Sequence, residues 1–200
     1  MSISSKNARI FWITAAVVVL CDFVAKNLAV RDLQPEHVPH EIIGDVVRFT
    51  LAFNPGAAFS MSLGNFSRVV FGAFAVVALG IIWWLYRSSK PGETLRTLSL
   101  GLVWGGAAGN LVDRFRSSRG VVDFIDIGYH DVWRFWTFNV ADSAVTVGAV
   151  LLAWVLWHED RVRAETQAVA PPATQPLAAS DRPYVATRTS DHEPGSPADA

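Results

Sequence analysis

Eighteen consecutive residues without a charge, Val69–Tyr86, constrain this chain more than any other feature. A soluble domain has no surface on which to place such a segment, whereas crossing a bilayer takes roughly 17–25 mostly apolar residues. Three further segments share the character: Thr97–Val112 has no charge, Val140–Trp157 only Asp142, and Ile10–Val30 only Asp22 and Lys26. The composition agrees, with 51% hydrophobic and 18% charged residues in a chain of 200. The expectation is an all-α polytopic membrane protein. Its four transmembrane helices fall at about 10–30, 69–86, 96–112 and 140–157, within a membrane domain spanning residues 1–163.

What lies between the spans is patterned. Asp45–Phe53 alternates Val47, Phe49, Leu51 and Phe53 against Arg48, Thr50 and Ala52, the period of a half-buried strand. The turn signal NPGAAFS (Asn54–Ser60) follows, so a small β-rich extracytoplasmic cradle is expected between spans 1 and 2. Its strand offers backbone groups that an extended peptide can pair with, although these residues by themselves favour an ordinary hairpin corner. In the third span Gly101, Gly105 and Gly109 repeat at every fourth position, which lets helices approach closely in lipid. Val121–Ile127 reads as a second short strand, with Asp123 and Asp126 on opposite faces.

Tryptophans mark the boundaries. Trp12, Trp83, Trp84, Trp154 and Trp157 fall at one interface and Trp133 and Trp136 at the other, with Trp104 in mid-span. Lys and Arg divide evenly between the two sides. Those on the terminal side sit in shorter segments, which favours cytoplasmic termini. Lys6 and Arg9 before an apolar run resemble a secretory signal, but the run continues past Lys26 to Val30, so it reads as a retained helix. Residues 164–200 are rich in Ala, Pro, Thr and Ser and are expected to be a disordered cytoplasmic tail. The net charge of −1 says nothing about partners, but no basic block is long enough to suggest nucleic acid. The single Cys21 has no partner for an intrachain disulfide and reads as a packing residue.

Acids at a membrane rim are costly and are functional candidates by default. Asp123 at the end of a loop strand and Asp142 in the first turn of the last span can converge on one face. Two carboxylates sharing a proton then supply a base for water and an acid for a leaving amine. Competing schemes draw on the same residues. HVPHE (His37–Glu41) is not HExxH, so a metal site has little support. Lys26 with Ser60 or Ser143 would make a Ser–Lys dyad, but Asp22 lies one helical turn from Lys26 and shares its face. Asp113 beside Arg114 reads as an ion-paired scaffold. A small proton-coupled transporter or channel lined by Asp22, Lys26, Asp123 and Asp142 stays open as an alternative. So does a non-catalytic scaffold whose acids merely sit in the interface.

Five motifs in order then carry a resemblance: DFVAK (Asp22–Lys26), FNPGAAFS (Phe53–Ser60), GGAAGNLVDRF (Gly105–Phe115), VVDF (Val121–Phe124) and FNVADS (Phe138–Ser143). Over roughly residues 8–160 the chain resembles the lipoprotein signal peptidase (signal peptidase II) family of aspartic membrane proteases. The resemblance implies an enzyme that cuts diacylglyceryl-modified prolipoproteins before the lipidated cysteine, at the outer face of the bacterial cytoplasmic membrane. It implies Asp123 and Asp142 as the catalytic dyad. Asn54, Gly56, Asn110, Arg114 and Asn139 would line the site or hold substrate, and Asp22, Lys26 and Asp113 would support it. It further implies no metal or organic cofactor, sensitivity to the cyclic peptide globomycin, membrane lipids as surroundings and a monomer.

Overall fold

In a computed structural model the described residues are 4–56, 66–130 and 132–169. Residues 57–65, which hold most of the NPGAAFS turn and Ser60, lie outside them, as does the tail from residue 170 onward. Among the described residues four long helices alternate with two pairs of strands. In chain order they are α1 (Ser5–Asp32), β1 (Pro39–Ile43), β2 (Val47–Asn54), α2 (Ser67–Arg87), α3 (Thr94–Arg116), β3 (Val121–Tyr129), β4 (Trp133–Arg134) and α4 (Val140–Val169).

Three of the helices are long and apolar enough to cross a membrane: α1, α2 and the Val140–Val162 part of α4. The third helix, α3, expected as a span at 96–112, is not among them. The reason is its place in the bundle. α3 packs against α1, α2 and α4, and its buried face is Thr97, Ser99, Leu100, Gly101, Gly105, Gly106 and Gly109. Small residues there trade apolar character for close approach. α2, by contrast, buries only Ser67 and Tyr86 and turns large aliphatic and aromatic side chains outward. Hydropathy therefore reports which helix faces lipid more than which helix is central.

The glycine stripe does what its spacing predicts. A Cβ on Gly101 would sit 3.0 Å from the Phe11 carbonyl oxygen, and one on Gly105 would sit 2.9 Å from that of Ala15. One on Gly109 would sit 2.7 Å from Asp22 Oδ2, so the third glycine opens room for a side chain of the site. The ascending pairs Gly101–Phe11, Gly105–Ala15 and Gly109–Asp22 make α1 and α3 parallel, while α4 runs back from Ala141 near Gly106 to Glu159 near Arg96. At the base, Phe11 stacks on Tyr86 at 4.0 Å and Leu100 completes the buried cluster. Trp104 lies 5.3 Å from Trp12. The two share a level, so Trp104 joins the aromatic cluster at this end of the bundle instead of standing alone in mid-span.

The strands form one antiparallel sheet in the order β1-β2-β3-β4. It is larger than a cradle between spans 1 and 2, because β3 and β4 come from the loop between α3 and α4. β2 is an interior strand, flanked by β1 and β3. The expected pairing of a peptide along its whole edge therefore gives way to pairing within the chain. Register with β3 runs Phe49↔Ile125, then Ala52↔Asp123, so one extra residue bulges from β2 just before Asp123's partner. On the other side β1 pairs no further than Thr50. β1 escaped the sequence reading because its residues are mostly exposed and do not alternate. α4 continues to Val169, six residues into the stretch assigned to the tail.

Candidate active site

Asp123 and Asp142 arrive from different elements, and one side chain ties them together. Asn139 Nδ2 donates to Asp123 Oδ1 at 2.7 Å, while Asn139 Oδ1 accepts the Asp142 backbone N–H at 2.9 Å. Asp142 Oδ2 in turn accepts the Asn139 N–H at 3.2 Å. These reciprocal bonds form a capping box at the start of α4, with Asn139 as N-cap and Asp142 three residues on. The spacing N-x-x-D is legible in the sequence. That the same cap would hold both acids is not, because Asp123 reaches it only through the fold.

A second amide extends the network. Asn110 on α3 donates from Nδ2 to Asp142 Oδ1 at 2.7 Å. Its Oδ1 accepts from Lys26 Nζ at 2.9 Å and from Asn139 Nδ2 at 3.1 Å. Lys26 also meets Asp22 Oδ2 at 2.7 Å and Asp113 Oδ2 at 2.9 Å, so its three donors are all engaged. Asp113 is therefore paired with Lys26, not with its chain neighbour Arg114. Consecutive helical residues do not face one another. Asp22 Oδ1 accepts the Ala141 N–H at 2.9 Å, so α1 caps α4 across the bundle. No sequence pattern announced that contact.

Two positions from the first loop complete the arrangement. Asn54 hydrogen-bonds Asp123 through its side chain, and its Oδ1 accepts the Gly56 N–H at 2.9 Å. Gly56 has φ +108°, a conformation that L side chains rarely adopt, which explains the glycine. Arg114 donates Nη1 to the Asn110 carbonyl at 3.0 Å, and its buried Nε has no hydrogen-bond partner. Every site residue that the family resemblance implied thus lies in or against one cluster. Asp126 does not. It accepts from Arg134 Nε at 2.7 Å and Thr50 Oγ1 at 3.0 Å on the other face of the sheet. A Lys26–Ser143 dyad does not form either, since Ser143 Oγ donates to the Asn139 carbonyl.

Asp123 is 3% exposed. Burial, aided by the charge of Asp142, pushes its carboxyl up to about 7, against the smaller opposing effects of Asn139, Asn54 and Lys26. Asp123 can therefore hold a proton near neutral pH while Asp142 accepts N–H bonds on both oxygens. Such an asymmetric pair can act as acid and base in one step.

A model of the family described as signal peptidase (SPase) II matches residues 14–158. The chain belongs to the signal peptidase II family. It is 47% identical over 152 residues to a lipoprotein signal peptidase of Mycolicibacterium smegmatis, an alignment that covers 74% of this chain and 60% of that protein. Its identity to the lipoprotein signal peptidase of Pseudomonas aeruginosa is 44% over 145 residues, covering 71% of this chain and 83% of the relative. Two bacterial membrane enzymes solved by the in meso method share the fold. One has a TM-score of 0.66 at 26% identity, over 75% of this chain and 88% of the other. The second has a TM-score of 0.64 at 28% identity, over 73% and 91%. The signal peptidase II match contains α1 from residue 14, the whole sheet, α2, α3 and most of α4, and hence the full Asp123–Asp142 cluster.

Proposed function

We propose that this chain is a membrane aspartic endopeptidase that removes signal peptides from diacylglyceryl-modified prolipoproteins, cutting before the lipidated cysteine. The observation that carries this reading is the sharing of Asn139 by two acids, one of which, Asp123, is buried with its carboxyl pushed up. Asp142 takes a proton from water as the water oxygen attacks the scissile carbonyl carbon. Asp123 donates its proton to the carbonyl oxygen. Collapse of the tetrahedral adduct breaks the C–N bond: the proton acquired by Asp142 leaves with the amine of the new cysteine N-terminus, and a hydroxyl of the adduct returns its proton to Asp123 as the carbonyl re-forms. Water is consumed, and one acid and one amine are produced. Asn110, itself fixed by Lys26, holds Asp142, Asn54 and Asn139 hold Asp123, and Arg114 and Gly56 line the approach.

In this reading α3 also crosses the membrane, parallel to α1, within a domain of residues 1–163 that works as a monomer. The termini and the tail from residue 164 are cytoplasmic, and the acids lie at the extracytoplasmic face. The lipid anchor of the substrate holds the scissile bond at that height. The transporter alternative gains no support, because Asp22, Lys26, Asp113 and Asn110 bond one another.

The test is a processing assay with purified protein and a diacylglyceryl-modified prolipoprotein, run beside Asp123→Asn and Asp142→Asn. Cleavage by wild type and its loss in both folded variants is the expected result. Cleavage by either variant at the wild-type rate sinks the assignment.

A further inference from the structure

Asn54 is the last residue of β2, and it pairs with Val121, the first residue of β3. The ends of a ladder fray, because the final rung has a neighbour on one side only. Yet this rung carries a hydrogen bond to the dyad. The Asn54 side chain is fixed at one end, where Oδ1 accepts the Gly56 N–H at 2.9 Å. That leaves Nδ2 as the donor to Asp123. The bond persists only if the backbone at this rung is held.

What holds it comes from the turn between α3 and β3. Arg119 lies two residues before Val121, and its guanidinium carbon sits 3.5 Å from the centre of the Phe53 ring. Its Nη2 also pairs with Glu36, in the segment between α1 and β1. That segment is itself tied to β2, since the His37 N–H donates to the Leu51 carbonyl at 2.9 Å. One side chain therefore reaches from the start of β3, across the end of β2, to the segment leading into β1. The backbone beside it is equally close. Gly120 has φ +99°, and a Cβ there would collide with the Asn54 carbonyl oxygen, so glycine lets the turn lie directly on that rung.

We infer that Arg119 is a positioning residue for the dyad, clasping Phe53 and Glu36 so that Asn54 stays in donating contact with Asp123. The inference rests on the aspartic-peptidase reading above. An ion pair half in solvent holds little by itself. Here the planar guanidinium is stacked as well as paired, so its orientation is set on two sides. The direction of the effect follows. The Asn54 bond favours the ionised form of Asp123 and holds its carboxyl down against burial. Releasing Asn54 lets that carboxyl rise further above about 7, and the falling limb of activity moves to higher pH. The other charged groups around Asp123 are Asp142 from α4, Lys26 with its partner Asp22 from α1, and Arg114 and Asp113 from α3. None of them belongs to the clasp.

The experiment uses the full chain in one detergent. Cleavage of a diacylglyceryl-modified prolipoprotein is followed across the neutral pH range, beside the NMR titration of the isotope-labelled Asp123 carboxyl, whose signal Asp123→Asn identifies. Arg119→Ala should move both the activity limb and the titration up by roughly 0.5–1 pH unit, the worth of one hydrogen bond. Glu36→Ala should move them the same way by less. A bare field effect predicts the reverse for Glu36→Ala, since losing an anion makes a neighbouring carboxyl ionise more readily. In an Asn54→Ala background Arg119→Ala should add no shift, because the contact it maintains is already gone. No shift in Arg119→Ala, a downward shift in Glu36→Ala, or an undiminished Arg119→Ala shift without Asn54 each overturns the clasp. If wild type cuts nothing, the peptidase reading fails instead, and the Asp123 titration still decides the clasp.

Discussion

Asn139 bonds both acids, and its removal should show how far they depend on it. Asn139→Ala removes a helix cap and leaves Asn110 and Asp123 short of a donor in a buried site. It should destabilise the protein by about 2–4 kcal/mol and lower cleavage, checked by thermal unfolding and the processing assay. Asp123 makes the opposite kind of prediction. Its folded carboxyl titrates at about 7 against 3.8 when unperturbed, so the native state holds the proton more tightly. Stability is thus undiminished below pH 4 and is lost as pH rises toward 7, with the penalty complete above it. Asp123→Asn lifts that penalty. Its unfolding midpoint should exceed that of wild type at pH 8 by the equivalent of on the order of 2–4 kcal/mol, with the difference gone at pH 4. Activity should fall as pH rises through about 7, because the acid loses its proton. A rate that is level from pH 6 to pH 9 would contradict the assignment of Asp123 as the acid.

At the scale of elements, close approach of α1 and α3 depends on glycine where α2 does not need it. An added methyl on Gly105 would come within 2.9–3.0 Å of Ala15 backbone and Val18 side-chain atoms, whereas one on Gly80 meets nothing within 4 Å. Gly105→Ala should cost about 1–3 kcal/mol through overpacking. Gly80→Ala should be neutral or stabilise by up to about 1 kcal/mol through helix propensity. Parallel unfolding curves of the two variants would test this, and equal midpoints would count against the packing argument. Lys26 joins the same two helices electrostatically, being 3% exposed between Asp22 and Asp113. Lys26→Met leaves buried Asp22 and half-buried Asp113 without their cation and should cost about 3–5 kcal/mol, more than either acid's Asn substitution.

At the scale of the whole molecule, the family match ends at residue 158, and every side chain of the cluster lies before it. A chain ending at Val169 should therefore cleave substrate within twofold of full length, and a larger loss would assign the tail a role. The apolar segments, the Asp45–Phe53 and Val121–Ile127 strands, the glycine stripe and the residues that the fold gathers into one cluster were all legible without coordinates. Each is written in local periodicity or in motif order, which survive in one dimension. Three things were not. α3 reads as a weak span because a central helix buries small residues and leaves lipid contact to its neighbours. β2 lies in the sheet's interior because β1 and β3 come from separate loops, and pairing between loops has no local signature. Lys26 serves Asp113, and Asp22 caps α4 from 119 positions away, because parallel α1 and α3 and the returning α4 bring residues distant in sequence to one level. Residue type and spacing set which groups can do chemistry here; the distances and partners that set their proton affinities exist only once the helices and sheet have packed.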